Sequence, residues 1–248
     1  YSPLISMGIL AYIMFIAMRF AKLRGFDNYK DTFCELWQPY PKLEISFEVF
    51  YILIILAAMA SAVSGAALLI SKFIGLPYFL STVLVAGLLV VLSIFGVKLI
   101  VGVSTFLSAS ILVIAGTMII VGISTHTVEI GAAFSDGLTT PLTATWKGVI
   151  VYCAFQCVSI PAMIAAATTV NQKGVKRAAI LGGIMNGGML ALSAVMLMGW
   201  YAEAAAAGEL ALPNLFVCTS LGWTWLIAMY CVLLFCAFVS SCVTLTYT

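Results

Sequence analysis

Seven long apolar runs set the limits on what this chain can fold into. They occupy residues 3–18, 45–74, 78–95, 99–123, 145–170, 175–201 and 223–247, separated by charged residues and Gly/Pro clusters. A helix needs about 20 apolar residues to cross a bilayer, whereas a barrel strand reads as a ~10-residue alternating segment. The runs are continuous rather than alternating. The expected fold is therefore all-α, a polytopic membrane protein with seven transmembrane helices and the lipid bilayer as its first partner. Charge agrees, since only 8% of the residues are charged, against about 25% in a soluble domain. The net charge of +2 is too small and scattered for a nucleic-acid footprint, so no nucleic acid is expected as a partner. Apolar sequence begins close to Tyr1 and continues to the end at Thr248, so the chain is expected to be the middle of a longer protein.

The basic residues give an orientation, because short cytoplasmic loops carry the excess of Lys and Arg. Arg19, Lys22, Arg24, Lys30 and Lys42 lie between the first two runs, Lys98 between the third and fourth, and Lys173, Lys176 and Arg177 between the fifth and sixth. Only Lys72 and Lys147 fall on the other side. The first span is expected to start outside and the seventh to end in the cytoplasm, in the plasma membrane. Two loops carry helix signals of their own. Asn28 is a capping residue ahead of Tyr29, Phe33 and Leu36/Trp37, with Lys30, Asp31 and Glu35 on the opposite face. This pattern predicts a short amphipathic helix lying on the inner membrane surface. Pro213 to Val217 predicts a second short helix, starting after Leu212.

The ionisable residues exclude several chemistries. No carboxylate falls at mid-membrane, the deepest being Glu48 near the inner end of the second run, so no carboxylate proton relay is visible. The lone His126 falls in an outer loop and reads as solvated. Intramembrane proteases need an embedded His or a pair of Asp, and neither is present; no enzyme activity is expected. The last run has no Lys for a retinal Schiff base. Of the seven Cys, Cys153, Cys157, Cys231, Cys236 and Cys242 lie in spans, Cys34 lies on the inner side and Cys218 alone on the outer, so no outer disulfide pair exists and small apolar filling is their expected role.

What remains is polar and uncharged, and it clusters. Tyr152, Gln156 and Ser159 precede Pro161 near the middle of the fifth run. A proline there frees carbonyls one turn back, near Cys157 and Val158, and broken helices at the midplane are where secondary transporters bind solute and ions; a plain proline kink is the alternative. The second run carries Ser61, Ser64 and Gly65, small residues whose spacing lets helices approach closely, and the seventh carries the adjacent hydroxyls Ser240 and Ser241, followed by Thr244 and Thr246. Such Ser and Thr can supply oxygens to a sodium ion or bond back to their own helix. The sixth run holds Gly182, Gly183, Gly187 and Gly188 around Asn186, small residues that let helices approach closely.

Four features taken in order carry a resemblance: the second span ending Gly65-Ala66-Ala67-Leu68-Leu69, the turn Ile94-Phe95-Gly96-Val97-Lys98, the break from Tyr152 to Pro161, and the Ser240-Ser241 pair. In these the chain resembles the LeuT-fold transporters of the amino acid–polyamine–organocation superfamily, and within them the YkvI-like membrane proteins. The resemblance implies ten core helices in two inverted repeats, with the seven runs as helices two to eight, residues 1–125 belonging to the first repeat and 126–248 to the second. Helices one, nine and ten would lie outside this sequence. It further implies that Tyr152, Gln156, Ser159, Ser61, Ser64 and Gly65 line a solute site, and that Ser240 and Ser241 help bind sodium. The function so implied is secondary active transport of an amino acid or similar small organic solute by alternating access, with no cofactor beyond sodium as coupling ion. A seven-helix receptor or sensor, and a membrane protein that keeps the fold without transport, are the alternatives.

Overall fold

The computed structural model describes residues 2–95, 97–137, 141–168 and 170–246, with side chains except at 93, 95, 97–105, 107, 137 and 243–246. Gly96 of the expected turn and the side chains of Thr244 and Thr246 lie outside these. The described residues form helices and no strands. In chain order they are α1 (Ser2–Arg24), α2 (Tyr29–Leu36), a 3-10 turn (Pro41–Leu43), α3 (Glu44–Ile74), α4 (Tyr78–Phe95), α5 (Val97–Thr125), α6 (Thr127–Gly137), α7 (Leu142–Gln156), a 3-10 turn (Cys157–Ser159), α8 (Ile160–Ala167), α9 (Gln172–Ala206), α10 (Pro213–Ser220) and α11 (Thr224–Thr246).

Six helical segments are long and apolar enough to cross a membrane: Ser2–Arg24, Pro41–Ile74, Ser108–Thr125, Leu142–Ala167, Gln172–Ala206 and Thr224–Cys242. The third expected span is the helix α4, Tyr78–Phe95, which is apolar over its described stretch Tyr78–Leu92. The surface is what a bilayer requires. Along α3, Ile45, Val49, Ile52, Leu53 and Leu56 are all more than half exposed, a contiguous apolar stripe that water would penalise and lipid tails accept. α9, with 35 residues, measures about 52 Å and overshoots the hydrocarbon, which leaves its charged ends in polar surroundings.

Helix ends follow local chemistry. Gly25 and Gly75 adopt φ of 76° and 78° and close α1 and α3 in the left-handed conformation that a side chain would strain. Behind Gly25, the Phe26 N–H donates to the Ala21 carbonyl at 2.9 Å. Lys22 Nζ donates to the Ala167 carbonyl at 2.9 Å, so that a cation sits at the C-terminal end of α8.

The chain divides into two compact units interleaved in sequence, one comprising residues 1–57 and 140–191, the other 58–139 and 192–247. In the first, Ala21, Ile160 and Ile164 form a core on which Phe26, Tyr29, Phe33 and Cys157 pack. Also within it, α1 and α9 approach so closely that a methyl on Gly183 would lie 2.8 Å from the Ala11 Cβ, and one on Gly187 3.1 Å from the Met7 Cβ. In the second, Ala66, Ile70, Val85, Leu89, Val239 and Cys242 form a core joining α3, α4 and α11. The Trp200 indole N–H donates to the Gly122 carbonyl at 3.0 Å and ties α9 to α5 there.

The amphipathic helix is present as α2, capped by Asn28, whose Oδ1 accepts from the Asp31 N–H at 2.8 Å. Its aromatic face turns toward protein. Phe33 stacks on Phe47 with centroids 3.8 Å apart, and Tyr29 packs on Tyr51 at 5.3 Å. Only Leu36 and Trp37, at its end, stay exposed. Packing against α3 and α8 thus takes the face that the sequence pattern assigned to the membrane surface.

Candidate functional site

In the first unit, the helix that carries Tyr152, Gln156 and Ser159 changes its winding where those residues lie. α7 ends at Gln156, one turn of 3-10 helix covers Cys157–Ser159, and α8 resumes at Ile160 with Pro161 in its first turn. The cause is local: Pro161 has no N–H to give the Cys157 carbonyl, which takes the Ile160 N–H in a tighter turn. The helix is therefore tightened rather than unwound, and the Cys157 carbonyl expected to be free has a partner. Two separate hydrogen bonds engage the three polar side chains, one to the Gln156 main chain and one between side chains. Ser159 Oγ donates to the Gln156 carbonyl at 2.6 Å, and Gln156 Nε2 donates to Tyr152 Oη at 2.7 Å. All three residues are half-buried. By their donor and acceptor inventory, the Tyr152 hydroxyl hydrogen, the second amide hydrogen and Oε1 of Gln156, and the Ser159 lone pairs remain for another partner.

The other sequence-predicted site residues belong to the second unit. Ser64 Oγ and Tyr78 Oη share a hydrogen bond of 2.9 Å, joining α3 to the start of α4, while Ser61 is exposed. Gly65 is buried, and a Cβ there would meet the Phe238 ring at 2.7 Å, so its smallness admits α11. Ser240 Oγ donates to the Ala237 carbonyl one turn back at 3.2 Å, and Ser241 is exposed. α11 runs through both without a break. Among the described residues, no group of three or more His, Cys, Asp or Glu side chains is placed to hold a metal.

Two residues carry more than their sequence surroundings signalled. His126 is not a solvated loop residue: its side chain is only 15% exposed. The ring lies on Trp200 with centroids 3.9 Å apart, Nε2 is 3.2 Å from Glu203 Oε1, and Nδ1 is 3.1 Å from Thr125 Oγ1. Its partner on α9 is 77 residues away, beyond any local pattern. A short helix, α6, follows it where a plain loop was expected. The second residue is Glu44, 5% exposed at the start of α3, whose Oε1 has no hydrogen-bond partner.

None of the cysteines is in a disulfide, Cys218 and Cys242 being buried and the others half-buried, in keeping with a filling role. Burial pushes the Cys218 thiol up to about 12, with the neighbouring Cys231 adding to it. No protein-family model, curated protein or solved structure matches this chain.

Proposed function

We propose that this chain is part of a secondary active transporter that takes up an amino acid or similar small organic solute, with sodium as the coupling ion, by alternating access. The observation that carries the reading is the 3-10 turn between α7 and α8, inside a segment apolar enough to span a membrane and bearing the half-buried polar side chains of Tyr152, Gln156 and Ser159. Irregular backbone at membrane depth persists where it lines a cavity or is buried in protein, and transporters place solute sites at such irregularities; here the side chains of Tyr152, Gln156 and Ser159, rather than a freed carbonyl, are the groups that would meet a solute. The order of features shared with the LeuT-fold superfamily adds the inverted-repeat architecture and the assignment of Ser240 and Ser241 to sodium. Basic loops orient the first span from outside to inside the plasma membrane.

The test is a thermal-shift screen of the purified protein against amino acids and related solutes, with and without sodium. A ligand at one hundred times its Kd stabilises by about 2.7 kcal/mol, well within the range of such an assay. Gln156→Ala should abolish the shift given by the solute that the wild type binds. A shift that Gln156→Ala and Tyr152→Phe both leave unchanged would refute the site, and no shift with any solute would refute the function.

A further inference from the structure

Glu44 poses a physical problem that nothing so far has absorbed. A buried carboxylate oxygen without a partner is among the costliest arrangements a protein can hold, and such groups are ordinarily paired, hydrogen-bonded or neutral. Glu44 opens α3, where the helix dipole favours a negative charge, yet no backbone N–H of that turn reaches its Oε1. The dipole's help is small beside the cost of burying an unsatisfied charge. Glu48 lies one turn along the same helix, and its Oε1 is already 3.2 Å from Lys30 Nζ on α2.

The ionisable groups that act on Glu44 are Glu48 on its own helix and Lys30 and Cys34 on α2. α8, which also packs on α2, contributes no ionisable side chain. On α1, Arg24 is occupied with Glu35 at 3.2 Å. Two carboxyls thus face one ammonium. The α2 side chains register that surplus of negative charge. Burial first, then Glu48 and Glu44, hold the Tyr29 phenol above its ordinary value. The hydrogen bond to Glu48 holds the Lys30 ammonium above its own.

We propose that Glu44 and Glu48 form a one-proton site, and that the bound proton fastens α2 to the start of α3. With the proton on Glu44, its carboxyl is neutral and becomes a donor toward Glu48, while Glu48 keeps Lys30 and the cluster is charge-balanced. Loss of the proton to water leaves two carboxylates against one Lys, one of them buried with Oε1 unpartnered and only the Cys34 thiol as a donor to it. Moving α2 away lets water reach Glu44 and relieves that state. The docked helix therefore binds one proton more than the released one, so docking is firm at low pH and weakens as pH rises. This inference is independent of the transport reading, since it concerns only residues of α2 and α3.

The experiment is amide hydrogen exchange of the α2 segment in lipid nanodiscs between about pH 5 and about pH 9, corrected for the intrinsic pH dependence of exchange. Because a single proton is linked, wild-type protection across α2 is expected to fall by up to about tenfold for each pH unit between the titration points of the released and the docked carboxyl, and to level off above them. Glu44→Gln, which mimics the protonated carboxyl, is expected to keep α2 protected throughout. Glu48→Gln, which removes the Lys30 partner, is expected to lower protection at every pH. A protonated-carboxyl stretch in the infrared spectrum of the wild type at the pH where α2 is protected, lost on raising the pH in step with that protection and absent from Glu44→Gln, is a second readout. Wild-type protection that does not change with pH, an identical pH dependence in Glu44→Gln, or the absence of the infrared band would each overturn the proposal.

Discussion

Replacing Gly183 by Ala tests how closely α1 and α9 are packed. The added Cβ would lie 2.8 Å from the Ala11 Cβ, where two carbons need about 3.5–4.0 Å. Neither atom can swing aside, because each is fixed to a helix backbone, so the helices must part by about 1 Å. Overpacking of this kind costs about 1–3 kcal/mol. The better helix propensity of Ala offsets up to about 1 kcal/mol. Gly182 is the internal control: it sits one residue away in the same helix with nothing within 4 Å of its added methyl. Gly182→Ala therefore carries the propensity gain without the clash, and the difference between the two variants isolates the packing, at about 1–3 kcal/mol. Reversible unfolding in mixed micelles with increasing SDS, followed by far-ultraviolet circular dichroism, measures both. Ala11→Gly vacates the opposing methyl and should rescue Gly183→Ala with a coupling energy of about 1 kcal/mol or more. Equal stabilities for the two glycine variants, or no rescue by Ala11→Gly, would refute the close approach.

Three further expectations rest on single contacts. Asn28→Ala removes the cap on the Asp31 N–H and should cost α2 about 1 kcal/mol, read as faster amide exchange confined to residues 29–36. Trp200→Phe keeps the ring over His126 but loses the hydrogen bond to the Gly122 carbonyl. That carbonyl also accepts from Thr125 Oγ1, so the loss should be about 0.5–1 kcal/mol in the same micelle assay, the lower half of the usual range. Burial first, then Glu44 and Asp31, hold the Cys34 thiol above its ordinary value. A raised value means less thiolate at a given pH, so the alkylation profile of Cys34 should be displaced to higher pH than that of a free thiol. Cys218, at about 12 and buried, should not react at about pH 8 unless the protein is unfolded. Alkylation of Cys34 at the free-thiol rate would contradict the burial argument.

The sequence disclosed much of this fold because its signals are local. α4 spans Tyr78–Phe95, the range bounded in sequence by Pro77 and Gly96, and α10 begins at Pro213, after Leu212. Asn28 capped the helix it was assigned to. Span ends were less legible where good helix formers continue into charge. α1 runs on through Arg19, Lys22 and Arg24, and α9 continues through Glu203 and its alanines to Ala206. Pro161 disclosed a local change of winding, but whether it unwinds or tightens depends on which donor takes the Cys157 carbonyl. The face that α2 buries, the partners of His126 and the burial of Glu44 depend on contacts with other helices, which no local pattern encodes. The interleaved division into two units is a property of the same long-range packing.

Sodium-driven solute accumulation is the measurement closest to the central proposal. The full-length protein, reconstituted in proteoliposomes, is given an inward sodium gradient and a labelled amino acid identified by the binding screen. Uptake against the solute's own gradient is expected, and Ser240→Ala combined with Ser241→Ala should raise the sodium concentration needed for half-maximal rate by about tenfold, the equivalent of about 1.4 kcal/mol of ion binding. Accumulation that is indifferent to sodium, or a sodium dependence unchanged in the double variant, would contradict the assignment of those hydroxyls. No accumulation under any cation gradient would contradict transport itself.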